Sequence, residues 1–263
     1  MKKMFKPFLA ICFAAMAFTA CTKEVKDTVA EDEISQEVIA KIKAQGFGTS
    51  DLQKTEGGYL VEGDIFISSE RLNETPTSTK LRIAEVEQYR TFNTVAGTRT
   101  ITVSVTGTVS TAFSNAINAA IARYNAQNLR LTFSRVASGG NINIRLVNTG
   151  QYIASAGFPS GGNPYPEIKY ANRYTSYSAG FMTTVLAHEM GHCIGFRHTD
   201  YMNRAYSCGS GGNEGQETSG VGAVHISGTP TGPDAASWML ACLSSSTDRP
   251  FNANDRTALN YIY

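Results

Sequence analysis

The chain has 263 residues and a formal net charge of +1, with 23 Lys and Arg against 22 Asp and Glu. No basic or acidic block breaks that balance, which argues against nucleic acid as a partner. The length suits either one good-sized core or a larger domain with an appendage.

Residues 1–20 read as an export signal: Lys2, Lys3 and Lys6 precede an apolar run from Phe8 to Phe18. That run is too short to span a bilayer as a stable helix. Thr19-Ala20-Cys21 follows at once and resembles a bacterial lipoprotein signal, which implies cleavage before Cys21 and lipid on its sulfur. The expected location is therefore the bacterial cell envelope, with the membrane touched through the N-terminal lipid only and release after processing as an option. The rest of the chain is expected to be water-soluble and monomeric.

Residues 22–45 carry a helical rhythm, with Ile34, Val38, Ile39 and Ile42 on one face. Gly46 and Gly48 stop it. Tyr59 to Ser68 reads as extended structure after a Gly57-Gly58 turn, and a polar stretch beyond it reads as a linker. Residues 21–90 are thus expected to form a small fold of their own, joined loosely to a domain at 91–263.

From residue 98 the pattern is denser. Arg99–Thr106 alternates Ile101, Val103 and Val105 inward, as a half-buried strand does. Ser110–Asn125 puts Phe113, Ala116, Ile117, Ala120, Ile121 and Tyr124 on one helical face. Strands are expected at 128–136, 141–147 and 167–171, a helix at 178–194 stopped by Gly195, and a last helix near 254–262. The order predicts a mixed α/β (α+β) fold: a twisted sheet backed by two helices above a smaller, irregular lower part.

The chemistry concentrates in "HEMGHCIGFRH", residues 188–198, which hold three of the four histidines in the chain. His188 and His192 are one helical turn apart and leave the same face. Two imidazoles so placed reach one ion at the ~2.0–2.1 Å of zinc–nitrogen bonds. Gly195 ends the helix with a left-handed residue, and His198 supplies a third ligand from the returning chain. Glu189 reaches a water in the open fourth position and acts as general base. Of the five cysteines, Cys12 leaves with the signal, and Cys193, Cys208 and Cys242 allow one bridge and one free thiol. The pairing is left open.

Residues 188–198 match the metzincin signature H-E-x-x-H-x-x-G-x-x-H and more closely resemble the bacterial dual-action HEIGH metallopeptidases, as do "HISGTPTGPD", "SWMLAC" and "RPFNANDRTALNYIY". The resemblance covers about residues 85–263. It implies the two-part metzincin fold, Zn2+ as cofactor, hydrolysis of protein or peptide substrates, and Met239 as the Met-turn beneath the metal. It further implies that the strand at 167–171 is the sheet edge on which substrate lies, with Gly157, Phe158 and Pro159 along the upper rim. Leu240, Ala241 and Cys242 directly follow Met239 where astacins and serralysins carry a Tyr, so Tyr201 or Tyr206 is the candidate for a phenol near the reacting carbonyl. "VEGDI" resembles the aspartate switch of astacin zymogens and makes Asp64 the candidate latency residue, with cleavage between 68 and 90. The alternative from another class is a catalytically silent, zinc-holding surface lipoprotein that acts in binding.

Overall fold

The computed structural model describes residues 34–73, 88–214, 221–230 and 232–263. The expected export signal, Cys21 and most of the expected linker lie outside them. Residues 34–263 form one compact unit.

Ser35 caps helix α1 (Gln36–Ala44) by accepting from Val38 N–H. Strands β1 (Gln53–Thr55), β2 (Gly58–Val61) and β3 (Ile65–Ser68) follow as an antiparallel sheet. The extended run expected at 59–68 is therefore a hairpin, and its turn is Glu62-Gly63-Asp64. Glu62 takes φ 56°, a left-handed conformation that turns usually assign to Gly, Asn or Asp. The small fold expected for this segment is present, but it is not loosely joined. Ile42, Phe47, Val61, Ile65 and Leu72 share a core with Phe158 of the following domain.

After β4 (Tyr89–Arg90) come β5 (Arg99–Thr106), α2 (Thr111–Asn125), β6 (Leu131–Arg135), β7 (Ile142–Val147), β8 (Ala154–Ser155) and β9 (Glu167–Ala171). The sheet order is β6-β5-β7-β9-β8. The first four strands are parallel, and β8 pairs antiparallel to β9. Helices α2 and α3 (Ala179–Ile194) cover the sheet, and Ile101, Phe113, Ile117, Ile144, Ile168 and Leu186 interdigitate between them at no more than 2% exposure. This is the mixed α/β layer arrangement the periodicities predict.

One expectation is corrected here. The strand at 167–171 is interior, because β8 pairs on its outer side. Two residues alternating with nothing leave no periodic signal, so β8 is invisible in the sequence. The edge beyond it is partly taken: Ala156 N–H donates to Asp64 O at 3.1 Å and Phe66 N–H donates to Ala156 O at 2.7 Å, a parallel pairing between the hairpin and the rim.

The lower part holds β10 (Phe196–Arg197), α4 (Ala205–Cys208), β11 (Val224–His225) and α5 (Ala253–Ile262), with β4 between β10 and β11. Asn252 and Asp255 form a capping box on α5. The buried Asp255 carboxylate also accepts from Ser237 Oγ at 2.7 Å, Gln88 Nε2 at 2.9 Å and Trp238 N at 3.3 Å. One side chain thus ties α5 to the turn at 237–239. Cys208 and Cys242 form the disulfide, and Cys193 is buried and free.

Two tests follow from these ties. Asp255→Ala should lower unfolding free energy by roughly 2–4 kcal/mol in urea titration, since it removes a cap and leaves buried donors unpaired. Cys208→Ser and Cys242→Ser should each abolish the band shift on non-reducing gels and cost about 3–4 kcal/mol, while Cys193→Ser should leave the shift intact.

Candidate active site

Helix α3 begins at Ser178, whose hydroxyl accepts from Phe181 N–H, and ends at Gly195, whose φ is 109°. A Cβ at Gly195 would also meet Asn93 O at 2.7 Å, so glycine is required for both the turn and the close approach. The chain then reverses through β10 and returns His198 toward the helix.

The three imidazoles converge. His192 Nε2 is 3.0 Å from His188 Nε2 and 3.2 Å from His198 Nε2, and the remaining pair is 3.3 Å apart. Each Nδ1 is engaged elsewhere: His188 with Trp238 O at 2.8 Å, His192 with Phe196 O at 2.7 Å, and His198 with the Glu214 carboxylate at 2.8 and 3.0 Å. Those acceptors take an Nδ1–H, which sets the tautomer of neutral rings and leaves a lone pair on every Nε2. Three lone pairs cannot hydrogen-bond one another. Ligands held tetrahedrally at ~2.0–2.1 Å from zinc stand about 3.3 Å apart, so the spacing fits that ion.

Asp64 completes the group. Its Oδ2 lies 3.1 Å from His198 Nε2 and 3.3 Å from His188 Nε2, and its Oδ1 lies 3.9 Å from His192 Nε2. The four ligand atoms fall within 4.8 Å of one another. Burial pushes the Asp64 carboxyl up, but the imidazoles, His198 foremost, hold it well below the usual carboxylate range. Burial depresses His192 strongly, with His188 adding to the effect, which keeps that ring neutral. Burial also works against charge on His198, yet the Asp64 and Glu214 carboxylates lift it well above the usual value by drawing a positive charge, a proton or a metal ion, to its Nε2.

Glu189 is 2% exposed, and its Oε2 has no hydrogen-bond partner among the described residues. Burial raises its carboxyl well above the ordinary range and the Asp64 carboxylate adds to this. It faces a cavity of about 220 Å³, lined among others by Tyr152, Ala154, Val185, His188 and Leu243. Beneath the imidazoles, the fully buried Met239 packs on α3: a Cβ at Gly191 would meet its sulfur at 2.6 Å.

The structure therefore brings together His188, His192, His198, Glu189, Met239 and Asp64, while Cys21 lies outside the described residues. Neither tyrosine past the third histidine lines the cavity. Tyr201 is buried against Tyr89 with ring centroids 4.1 Å apart, and Tyr206 is 48% exposed. The phenol at the cavity belongs to Tyr152. Sequence reasoning also missed Glu214, which sits 1% exposed behind His198. An acidic residue in a Gly-rich loop has no local signal; only the need of a histidine ligand for an Nδ1 partner points to one.

No curated protein matches the chain. Among solved structures it is similar to one described as the structure of myroilysin, at 15% identity over 65% of this chain and 82% of that one, with a TM-score of 0.44. Residues 59–263 match the family described as dual-action HEIGH metallo-peptidase, a match that includes the hairpin carrying Asp64. The chain belongs to the dual-action HEIGH metallopeptidase family.

Proposed function

We propose that the chain is an exported, zinc-dependent endopeptidase of the metzincin type, carried to the envelope as a lipoprotein through Cys21, in which His188, His192 and His198 hold the metal and Asp64 occupies the fourth position until the N-terminal segment is displaced. The observation that carries the reading is the convergence of three Nε2 lone pairs beside a buried, unpartnered Glu189 oxygen.

When bound, zinc lowers the pKa of a water it holds and polarises a peptide carbonyl. Glu189 takes the proton from the attacking water and passes it to the leaving amine. Burial pushes its carboxyl up, which favours its accepting a proton in that exchange. Trp238 O, Phe196 O and Glu214 hold the rings at fixed orientation, so no reorganisation is needed as the carbonyl approaches. Val185, Ala154 and Leu243 make the cavity wall apolar, which suits an aliphatic side chain beside the scissile bond. Met239 serves as the Met-turn, a packed floor under the ligands.

Asp64 makes the full chain latent. Its carboxylate fills the place of the attacking water, and the strand that carries it pairs with the rim where a substrate backbone would lie. Glu189 separates this reading from a silent zinc-holding binding protein, which has no use for a buried, unpartnered carboxylate.

Three outcomes are expected. Glu189→Ala should retain zinc by metal analysis yet lose hydrolysis of a peptide library by about 1000-fold or more, and a chelator should silence the wild type. The uncut Asp64→Ala chain should hydrolyse peptides roughly ten-fold or more faster than the uncut wild type; equal rates would end the latency reading. Glu214→Gln should weaken zinc affinity by about 10–100-fold in competition with a chromogenic chelator, because it loosens His198.

A further inference from the structure

The hairpin tip brings more than Asp64 into the cleft. Two residues earlier, the Glu62 carboxylate meets Arg197 Nη2 at 2.7 and 2.8 Å. Arg197 is 0% exposed, and Glu62 is 1% exposed. The guanidinium is caged between Phe47, at 5.3 Å, and Phe158, at 5.6 Å. Phe47 and Glu62 both belong to the N-terminal segment. Beside them Arg204 pairs with Asp51 of the same segment and approaches Glu214 Oε1 at 3.0 Å. Arg204 also lines the cavity that opens on Glu189.

Glu62 is a poor choice for its turn. A left-handed position favours Gly, Asn or Asp, and Glu there sets local preference against the observed backbone. A buried ion pair is also weak evidence for stability, because desolvation offsets the attraction. What the pair does supply is register: Glu62 on Arg197 fixes where Asp64 falls on the imidazoles.

Removal of the segment changes the electrostatics of this cleft. Three carboxylates leave with it: Asp51, Glu62 and Asp64. Two guanidiniums, Arg197 and Arg204, remain with Glu214 as the one acidic partner they pair with among the described residues. Two cations left in a partly enclosed site with half their counter-charge attract an anion strongly. We infer that in the processed enzyme Arg197 and Arg204 form a subsite for an acidic side chain of the substrate, within two residues of the scissile bond, where Glu62 sits in the uncut chain. The segment thus acts as a mimic of the acidic substrate it excludes. This inference rests on the proposed peptidase with a displaceable N-terminal segment. It adds the class of peptide that the enzyme prefers.

The test starts from the full chain, with a site-specific protease sequence inserted after Thr79 and cut once the protein is folded and loaded with zinc. The cut protein is assayed on two peptide pools that differ only in Glu or Gln at each position flanking the cleaved bond. The expected result is a preference of about ten-fold or more in kcat/KM for Glu over Gln at one position within two residues of the bond. In Arg197→Gln the Glu-to-Gln ratio should fall toward one, whatever the absolute rate. Equal cleavage of both pools by an active wild type overturns the subsite while leaving the peptidase standing, and this comparison holds even where the variant does not fold. A cut, zinc-loaded wild type that cleaves neither pool overturns the peptidase reading and the inference with it.

Discussion

Three imidazole nitrogens stand 3.0–3.3 Å apart with their lone pairs turned inward. Without a cation between them, that arrangement is repulsive. The surrounding structure keeps it in place by binding the other side of every ring. Trp238 O comes from the turn over Met239, Phe196 O from the first strand after Gly195, and Glu214 from a loop of the lower part. Asp255 ties the Trp238 turn to α5, and the Cys208–Cys242 disulfide ties α4 to the chain just past Met239. Helix α3 supplies two of the imidazoles, and the lower part supplies the third and most of the bracing. A two-part fold is what a site needs when two ligands lie on one rigid helix and the third arrives from elsewhere.

The same constraint explains the acidic hairpin. A cluster of imidazoles and guanidiniums at the bottom of a cleft invites carboxylates, and the segment ahead of β4 delivers Asp51, Glu62 and Asp64 to it. Phe47, Ile65 and Leu72 supply an apolar footing with Phe158, which itself lies edge-on to His192 at 5.5 Å. The segment therefore contacts the imidazole cluster from two sides, by charge and by packing. Its strand pairs with Ala156 on the rim, which occupies the backbone N–H and C=O of that residue.

Much of this was legible in the sequence where the signal is local. The i, i+4 spacing of His188 and His192, the glycine that ends α3 and the period-two alternation of Arg99–Thr106 each reflect geometry within a few residues. "VEGDI" points to Asp64, but the chain around it reads as a single extended run, because a Glu at the left-handed turn position hides the hairpin. Contacts between distant segments left no trace of that kind. Glu214 finds His198 across an aperiodic Gly-rich loop, Glu62 finds Arg197 from a different layer, and the cysteine pairing depends on how α4 folds under the 237–243 turn. Strand β8 is too short for alternation to register, so the sequence places the sheet edge one strand too far inward. Tyr152 reaches the cavity from that same unrecognised edge.

The central claim is that one zinc ion sits among His188, His192 and His198 with the Asp64 carboxylate in its fourth position. Zinc K-edge absorption spectroscopy of the zinc-loaded full chain, beside Asp64→Ala, tests it most directly. The account predicts three nitrogen ligands and one oxygen at about 2.0–2.1 Å in the wild type, with the carboxylate replaced by a solvent oxygen in the variant. Fewer than three imidazole ligands, or a carboxylate signature that persists unchanged in Asp64→Ala, would contradict it.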